Sequence, residues 1–371
     1  MPHRVLVGLR LRVLPGLKEQ LLRARQTVSL ATQIRRQIHV FRNVPPLREH
    51  RRGLLLHGES VGLVPTMGAL HEGHISLMRQ AASENDRVFV SIYVNPTQFG
   101  PTEDLDSYPK TWETDMEQLE ALDVELKGNG KGRIEAVFAP MTGVMYPNLP
   151  PDSTLPGVGS FVTITPLAHL LEGASRPVFM RGVATVCTKL FNIVEPERVY
   201  FGQKDIQQTA VIKRMVSDFH INTEVCIGPT SREPDGLAMS SRNVYLGERR
   251  RKAGIVLWQS LRAAEDAYSR GKCDRDEILA LGWDIANRMM MEQDALSETE
   301  RARFEVDYLS LADPQTLEEV DRVDDTRGAI LSGAIIMLPL EATTDGEKLG
   351  RERDTKRVRL IDNITLTARV R

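Results

Sequence analysis

The sequence predicts an α/β protein, a Rossmann-like doubly wound parallel sheet followed by a smaller C-terminal α+β domain. Three observations carry this expectation. Short apolar, β-branched runs at Gly62–Val64, Val88–Val94, Ala136–Ala139, Arg198–Phe201 and Thr223–Ile227 alternate with helical patterns, which is the signature of strands joined by crossover helices. Polar residues gather where three of these runs end, at the carboxyl ends where open α/β sheets place ligands. From Gly228 the pattern changes to two long helical stretches, 247–270 and 275–293, then strand-like runs at 304–311, 329–338 and 357–361.

In chain order, residues 1–27 are Arg- and Leu-rich with Glu19 as their single acid, a bias that resembles a mitochondrial import segment; the alternatives are a disordered extension or a misassigned start. Residues 28–42 fit an amphipathic helix and VPPLREHRRG after it a loop, so Gly62–Val64 is expected as the first strand. Helices are expected at 74–84, 111–123, 183–194 and 205–218 between the strands. The glycine-rich stretch 127–133 reads as a surface loop, 140–182 as a proline-rich loop region, and the charged stretches 292–303 and 343–357 as solvated insertions. The domain expectation is therefore 28–227 for the sheet domain and 228–371 for the second.

Composition bounds the function. The 371 residues include 48 basic and 50 acidic side chains, a net charge of −2. That balance argues against a general nucleic-acid binder or a membrane-surface protein. Three separated cysteines without CxxC spacing suit a reducing compartment, and a cytoplasmic location is expected. The longest uncharged apolar stretch, 329–340, contains Gly333 and Pro339 and is too short to span a bilayer.

The most informative stretch is GLVPTMGALHEGHISLMRQA, residues 62–81. A strand end, a turn broken by Pro65 and Gly68, and a helix signalled by Ile75, Leu77 and Met78 point backbone N–H groups and a helix N-terminus at an anion. His71 and His74 sit in that turn, where imidazoles can hold phosphate oxygens as charge develops. Zinc is rejected, because the metalloprotease pattern sets its histidines four apart on a formed helix and these are three apart. Two further strand ends carry Asn95–Gly100 and Gly202-Gln203-Lys204-Asp205, and the loop after 228 holds Ser240, Ser241 and Arg242, hydroxyls beside a guanidinium fork that suit a triphosphate.

Taken in this order, VPTMGALHEGH, VNPTQF, LEGASRP, FGQKDIQQ and DGLAMSSRNVYL resemble the pantothenate synthetase (pantoate–β-alanine ligase) family, within the nucleotidyltransferase superfamily that shares the HxGH motif. The resemblance spans residues 28–371, more loosely toward the C-terminus. It implies ATP-dependent condensation of (R)-pantoate with β-alanine to pantothenate through pantoyl adenylate, releasing pyrophosphate and then AMP, with ATP as substrate, Mg2+ present and a homodimer as the assembly. Met67, Gly68, Ala69, Leu70, His71, Glu72, Gly73 and His74 are implied as the turn that wraps ATP, with His74 the proton donor. Gly202, Gln203, Lys204 and Asp205 are implied to seat the nucleotide, and Met239, Ser240, Ser241 and Arg242 to hold its outer phosphates, with Ser231 against the nucleotide. His71, His74, Lys204 and Arg242 form the implied catalytic set. Gln98, Gln208 and Arg176 are implied for pantoate, Gln98 also for β-alanine, and Asp115 beside magnesium.

Three positions depart from the family pattern. Gln203 replaces a glutamate, Phe179 a histidine and Ser231 an apolar residue, none within the phosphate-handling set. A transferase making another nucleotide product lacks a use for the paired glutamines. A tRNA synthetase requires an anticodon-binding region that is not evident. An inactive homologue is expected to have lost a member of the catalytic set, and here all four are present.

Overall fold

The computed structural model describes residues 38–368 except 102, 131 and 149–158. The expected N-terminal extension, residues 1–27, lies outside them, as does most of the helix expected over 28–42. The end of that expected helix is instead the edge strand β1, His39–Phe41. The expected loop after it is helix α1, Val44–Leu56. Its two prolines, Pro45 and Pro46, mislead a reading by composition: in the first turn of a helix the missing N–H has no partner to lose.

Six parallel strands follow the order β1-β4-β3-β2-β5-β6, with β2 at Val61–Thr66, β3 at Arg87–Ile92, β4 at Arg133–Phe138, β5 at Arg198–Gly202 and β6 at Glu224–Gly228. Helices α2 (Glu72–Glu84), α3 (Trp112–Gly128), α4 (Phe179–Val194) and α5 (Ile206–Asp218) join them. From β2 the chain builds outward through β3 and β4, then returns to add β5 against the other side of β2. That reversal opens a crevice between β2 and β5 at their carboxyl ends, the place where doubly wound sheets bind ligands. Two-sided burial explains the apolar strands: Val61, Leu63, Val64, Val88, Phe89 and Val90 are fully buried, and burying such a side chain contributes about 1.5–3 kcal/mol.

Helix α4 lies in the middle of the first core cluster, with 12 of its 16 residues buried. It passes so close to the loop after β3 that a Cβ on Gly182 would stand 2.3 Å from the carbonyl oxygen of Thr97. Only glycine allows that approach, and the approach fixes the loop carrying Gln98.

Beyond β6 the long helical stretch expected at 247–270 divides into α6 (Glu248–Gly254) and α7 (Val256–Ser269), followed by α8 (Arg275–Asp294). These cover an antiparallel sheet, β7 (Phe304–Ala312), β8 (Ala329–Met337) and β9 (Val358–Leu366), around a second apolar cluster. The stretch 343–357 is not the solvated insertion its composition suggests. Glu347 pairs with Arg249 at 2.7 Å, and Asp354 pairs with Arg250 at 3.0 Å with both side chains shut off from solvent. Asp354 also accepts the backbone N–H groups of Gly247 and Gly350, while Arg250 donates to the carbonyls of Met337 and Lys356. Asp354→Ala leaves that guanidinium buried and unpaired, and should lower the unfolding free energy by about 3–5 kcal/mol in urea denaturation; a loss below about 1 kcal/mol would contradict this account of the pair.

Candidate functional site

The turn between β2 and α2 begins with Thr66, whose hydroxyl donates to the carbonyl of Ser91 on β3 and accepts from Gly68 N–H. Gly68 has φ +83° and Ala69 φ +50°, backbone conformations that cost a non-glycine residue about 1–3 kcal/mol. Asp115 on α3 offsets that cost. Its two carboxylate oxygens accept the N–H of Ala69 at 3.0 Å and of Leu70 at 2.8 Å, and Thr111 donates its hydroxyl to the same group. Expected beside a metal ion, Asp115 is instead fully buried beneath the turn, its oxygens committed to backbone amides.

The turn delivers the two histidines to the N-terminus of α2. His71 is the N-cap and accepts Gly73 N–H on Nδ1 at 3.2 Å, while His74 Nδ1 accepts His71 N–H at 3.4 Å. Both Nδ1 atoms are therefore acceptors, which leaves Nε2 as the proton-bearing nitrogen of each ring. The rings lie 4.1 Å apart. Burial, reinforced by the charge of Lys204, holds the His71 pKa down to about 4. Burial, then His71 and Lys204, holds His74 down to about 3. At neutral pH both are uncharged hydrogen-bond donors rather than imidazolium ions.

One cavity of about 210 Å³ takes in the ends of β2 and β5, the N-terminus of α2 and the loop after β6. Of the residues expected in the site, Met67, His71, Gly73, His74, Gln98, Gly202, Lys204, Asp205, Gln208, Ser231, Met239, Ser240, Ser241 and Arg242 line it. Gly68, Ala69 and Leu70 support the turn without lining the cavity. Glu72 pairs outward with Arg79. Gln203 turns toward the C-terminal sheet, where it donates to Thr365 at 3.1 Å and Asn363 at 3.3 Å. Asn363 in return donates to the carbonyls of Gln203 and Lys204. The glutamine that departs from the family pattern therefore ties the Lys204 turn to β9.

The remaining expected residues are held by their neighbours. The side-chain oxygen of Gln98 accepts from Asn95 at 2.8 Å, which leaves the NH2 of that amide as the half presented to a ligand. Ser241 donates to Ala69 O at 3.1 Å, joining the loop after β6 to the β2–α2 turn. Ser231 exchanges a hydrogen bond with Ser76 on α2. Arg176 stands outside the cavity lining, over the ring of Phe179 at 3.8 Å, and makes a two-pronged pair with Glu103. Arg242 makes the same kind of pair with Asp104, at 3.0 and 2.9 Å.

Sequence reasoning did not single out Glu103 and Asp104, although two acids directly after a ligand-bearing strand end carry a signal. It also passed over the apolar wall made by Val183, Val186 and Leu190 of α4, with Tyr93 and Tyr108. Cys187 lies on that wall, but burial pushes its thiol up to about 12. It stays protonated and is no nucleophile.

A family model described as Pantoate-beta-alanine ligase matches residues 39–365. A pantothenate synthetase of Roseiflexus castenholzii is 48% identical over 280 residues, 76% of this chain and 89% of that protein. One from Thermotoga neapolitana is 46% identical over 72% of this chain and 84% of its own. Among solved structures, a pantothenate synthetase of Thermus thermophilus superposes with a TM-score of 0.69 at 35% identity, covering 89% of this chain and all of that one. A pantoate-beta-alanine ligase of Francisella tularensis, complexed with beta-gamma ATP and beta-alanine, superposes with a TM-score of 0.62 at 30% identity, covering 88% and 97%.

The histidine pKa values set a pH dependence of stability. An unfolded histidine takes up a proton near pH 6.5, while folded His74 resists it down to about pH 3. The unfolded state then binds more protons, so stability falls as pH drops below about 6.5. Between about pH 7 and pH 5 the native protein should lose about 2 kcal/mol more than His74→Asn loses, as read from denaturant midpoints. Equal losses would mean that the imidazole is charged in the folded state.

Proposed function

Because the chain belongs to the pantoate–β-alanine ligase family of enzymes, we propose that its cavity joins pantoate to β-alanine by way of a pantoyl adenylate. The observation that carries this reading is the convergence of His71, His74, Lys204 and Arg242 with Gln98 and Gln208 on one cavity. The first four suit a polyphosphate. Gln98 offers its NH2 and Gln208 donor and acceptor together, as a ligand with a carboxylate and hydroxyls requires.

In the first step a pantoate carboxylate oxygen attacks the α-phosphorus of ATP and the bond to the β,γ-pyrophosphate breaks. In the second, the β-alanine amine attacks the acyl carbon, loses a proton, and AMP leaves. Chemistry of this kind rests on positioning and charge stabilisation. Neutral His71 and His74 donate from Nε2 to phosphoryl oxygens, and their hydrogen bonds strengthen as negative charge builds. Lys204 and Arg242 carry the fixed positive charge, Arg242 meeting the outer phosphates as its pair with Asp104 opens or is shared. Asp205 accepts from the ribose hydroxyls. Gln98, already oriented by Asn95, donates to the pantoate carboxylate, and the apolar face of α4 holds its methyl groups and excludes water. Arg176 closes the substrate side through Glu103.

A protein-held magnesium ion does not fit these residues. Asp115 is committed to the turn, and Asp205 is the single acid lining the cavity among the described residues. Magnesium that arrives on ATP keeps most of its ligands as phosphate oxygens and water, and no step is assigned to it. A homodimer belongs to the same reading and is checked by sedimentation velocity.

The reading is tested by pyrophosphate release from ATP with pantoate added and β-alanine withheld. Release that requires pantoate, followed by AMP and pantothenate once the amine is supplied, is expected; no pantoate-dependent release contradicts it. His74→Ala should lower that release by about 10²–10³-fold, the loss typical of one oxyanion donor, with the circular dichroism spectrum unchanged. Gln98→Ala should raise the KM for pantoate by about tenfold or more, the scale of one lost hydrogen bond to a charged group, while the KM for ATP changes little. Equal increases would remove Gln98 from the pantoate site.

A further inference from the structure

Away from the cavity, at the open edge of the parallel sheet, three potential ligands converge from three elements. His39 is the first residue of β1, His50 lies on α1 and Glu135 on β4. One ligand atom from each lies within 4.8 Å of the others. His50 Nε2 is 3.1 Å and His39 Nε2 3.7 Å from the same oxygen, Glu135 Oε1. With metal–ligand bonds of about 2.0–2.2 Å, the edge of a coordination tetrahedron is about 3.4 Å, and the two distances bracket it. The histidine ring centroids lie 4.8 Å apart, with their planes at 49°.

The carboxylate is prepared on its far side as well. Glu135 is 4% exposed, and its Oε2 is buried without accepting a hydrogen bond. The Nε atoms of Arg87 and Arg133 stand 3.6 and 3.5 Å from that oxygen. Their charges are matched in turn, Arg87 by Glu59 at 2.7 Å and Arg133 by Asp123 at 3.7 Å. These arginines hold the carboxylate in place, as outer-shell groups do for a ligating oxygen, and leave Oε1 to the histidines. Two imidazoles and one carboxylate form the donor set of borderline divalent ions such as zinc, whereas magnesium and calcium prefer oxygen. His39 is half-exposed, which gives an ion an entry path and leaves a position for water.

We propose that His39, His50 and Glu135 bind one divalent transition-metal ion of the zinc class, stapling β1 and α1 to β4. No member of this set lines the nucleotide cavity. The ion is therefore structural in position, and its binding is independent of ATP.

Titration of the tag-free full chain with Co2+ tests the proposal. One equivalent should bind with the intense visible bands of a tetrahedral ion, be displaced by Zn2+, and be unchanged in His74→Ala, whose ring lies in the cavity. Zn2+ should also raise the thermal midpoint of unfolding. His39→Ala, at a half-exposed position that leaves the fold intact, should weaken Co2+ binding at least about tenfold and abolish the Zn2+ stabilisation. His57→Ala, an exposed histidine at the end of α1, should change neither. Absence of stoichiometric binding, binding undiminished in His39→Ala, or binding lost in His74→Ala would each overturn the proposal.

Discussion

The buried carboxylate of Asp115 is the interaction on which the site depends. The turn after β2 must take two left-handed backbone conformations to bring His71 and His74 to the mouth of the switch-point crevice. Within the turn, Thr66 and His74 accept the N–H groups of Gly68 and His71, but those of Ala69 and Leu70 need an acceptor from elsewhere. Asp115 reaches across from α3 and accepts both, and hydrogen bonds to a charged acceptor contribute about 1.5–3 kcal/mol each. Gly68 is required beside it, since a Cβ there would stand 3.0 Å from Asp115 Oδ2. With the turn fixed, the histidines cap α2 through their own Nδ1 atoms, and Ser241 anchors the loop after β6 to Ala69.

Charge in the cavity follows from the same economy of burial. The two rings are kept neutral, so the site carries fixed cations without an excess of them. Arg242 and Arg176 are each neutralised by a consecutive acid, Asp104 and Glu103, on one loop. Under the proposed reading, a polyanionic substrate meets the Arg242 guanidinium already oriented by its carboxylate, which it must share or displace. The C-terminal sheet takes part through Asn363, which fixes the carbonyls of Gln203 and Lys204. Arg359 on β9 likewise pairs with Glu172 in the short helical turn Leu171–Ser175 ahead of α4. Segments at the carboxyl ends of the parallel sheet are thereby braced by elements far along the chain, 160 residues on for Gln203 and 187 for Glu172.

Much of this was legible in the sequence because it is local. The apolar runs of β2 to β5 report two-sided burial directly, and the glycine turn with His71 and His74 is a contiguous motif. What was not legible depends on neighbours distant in the chain. Pro45 and Pro46 read as a loop until their place in the first turn of α1 is known. Asp115 reads as a helix acid near a metal until its two amide partners, 45 and 46 residues earlier, are seen. Asp354 sits in a run of charges that composition assigns to solvent, and only its enclosure with Arg250 shows otherwise. Gln203 shows the same limit: a departure from a motif acquires its meaning from Thr365 and Asn363.

The most direct measurement is the magnesium dependence of pantoate-driven pyrophosphate release in Asp115→Asn. An asparagine keeps the shape but sets an NH2 donor against one of the two backbone N–H groups, so the turn shifts. The account predicts that kcat/KM for ATP falls about 10²-fold, the scale expected for a displacement of about 1 Å, while the magnesium concentration for half-maximal rate is unchanged. Activity restored by raising magnesium would contradict it, because the carboxylate would then be a metal ligand rather than the support of the phosphate turn.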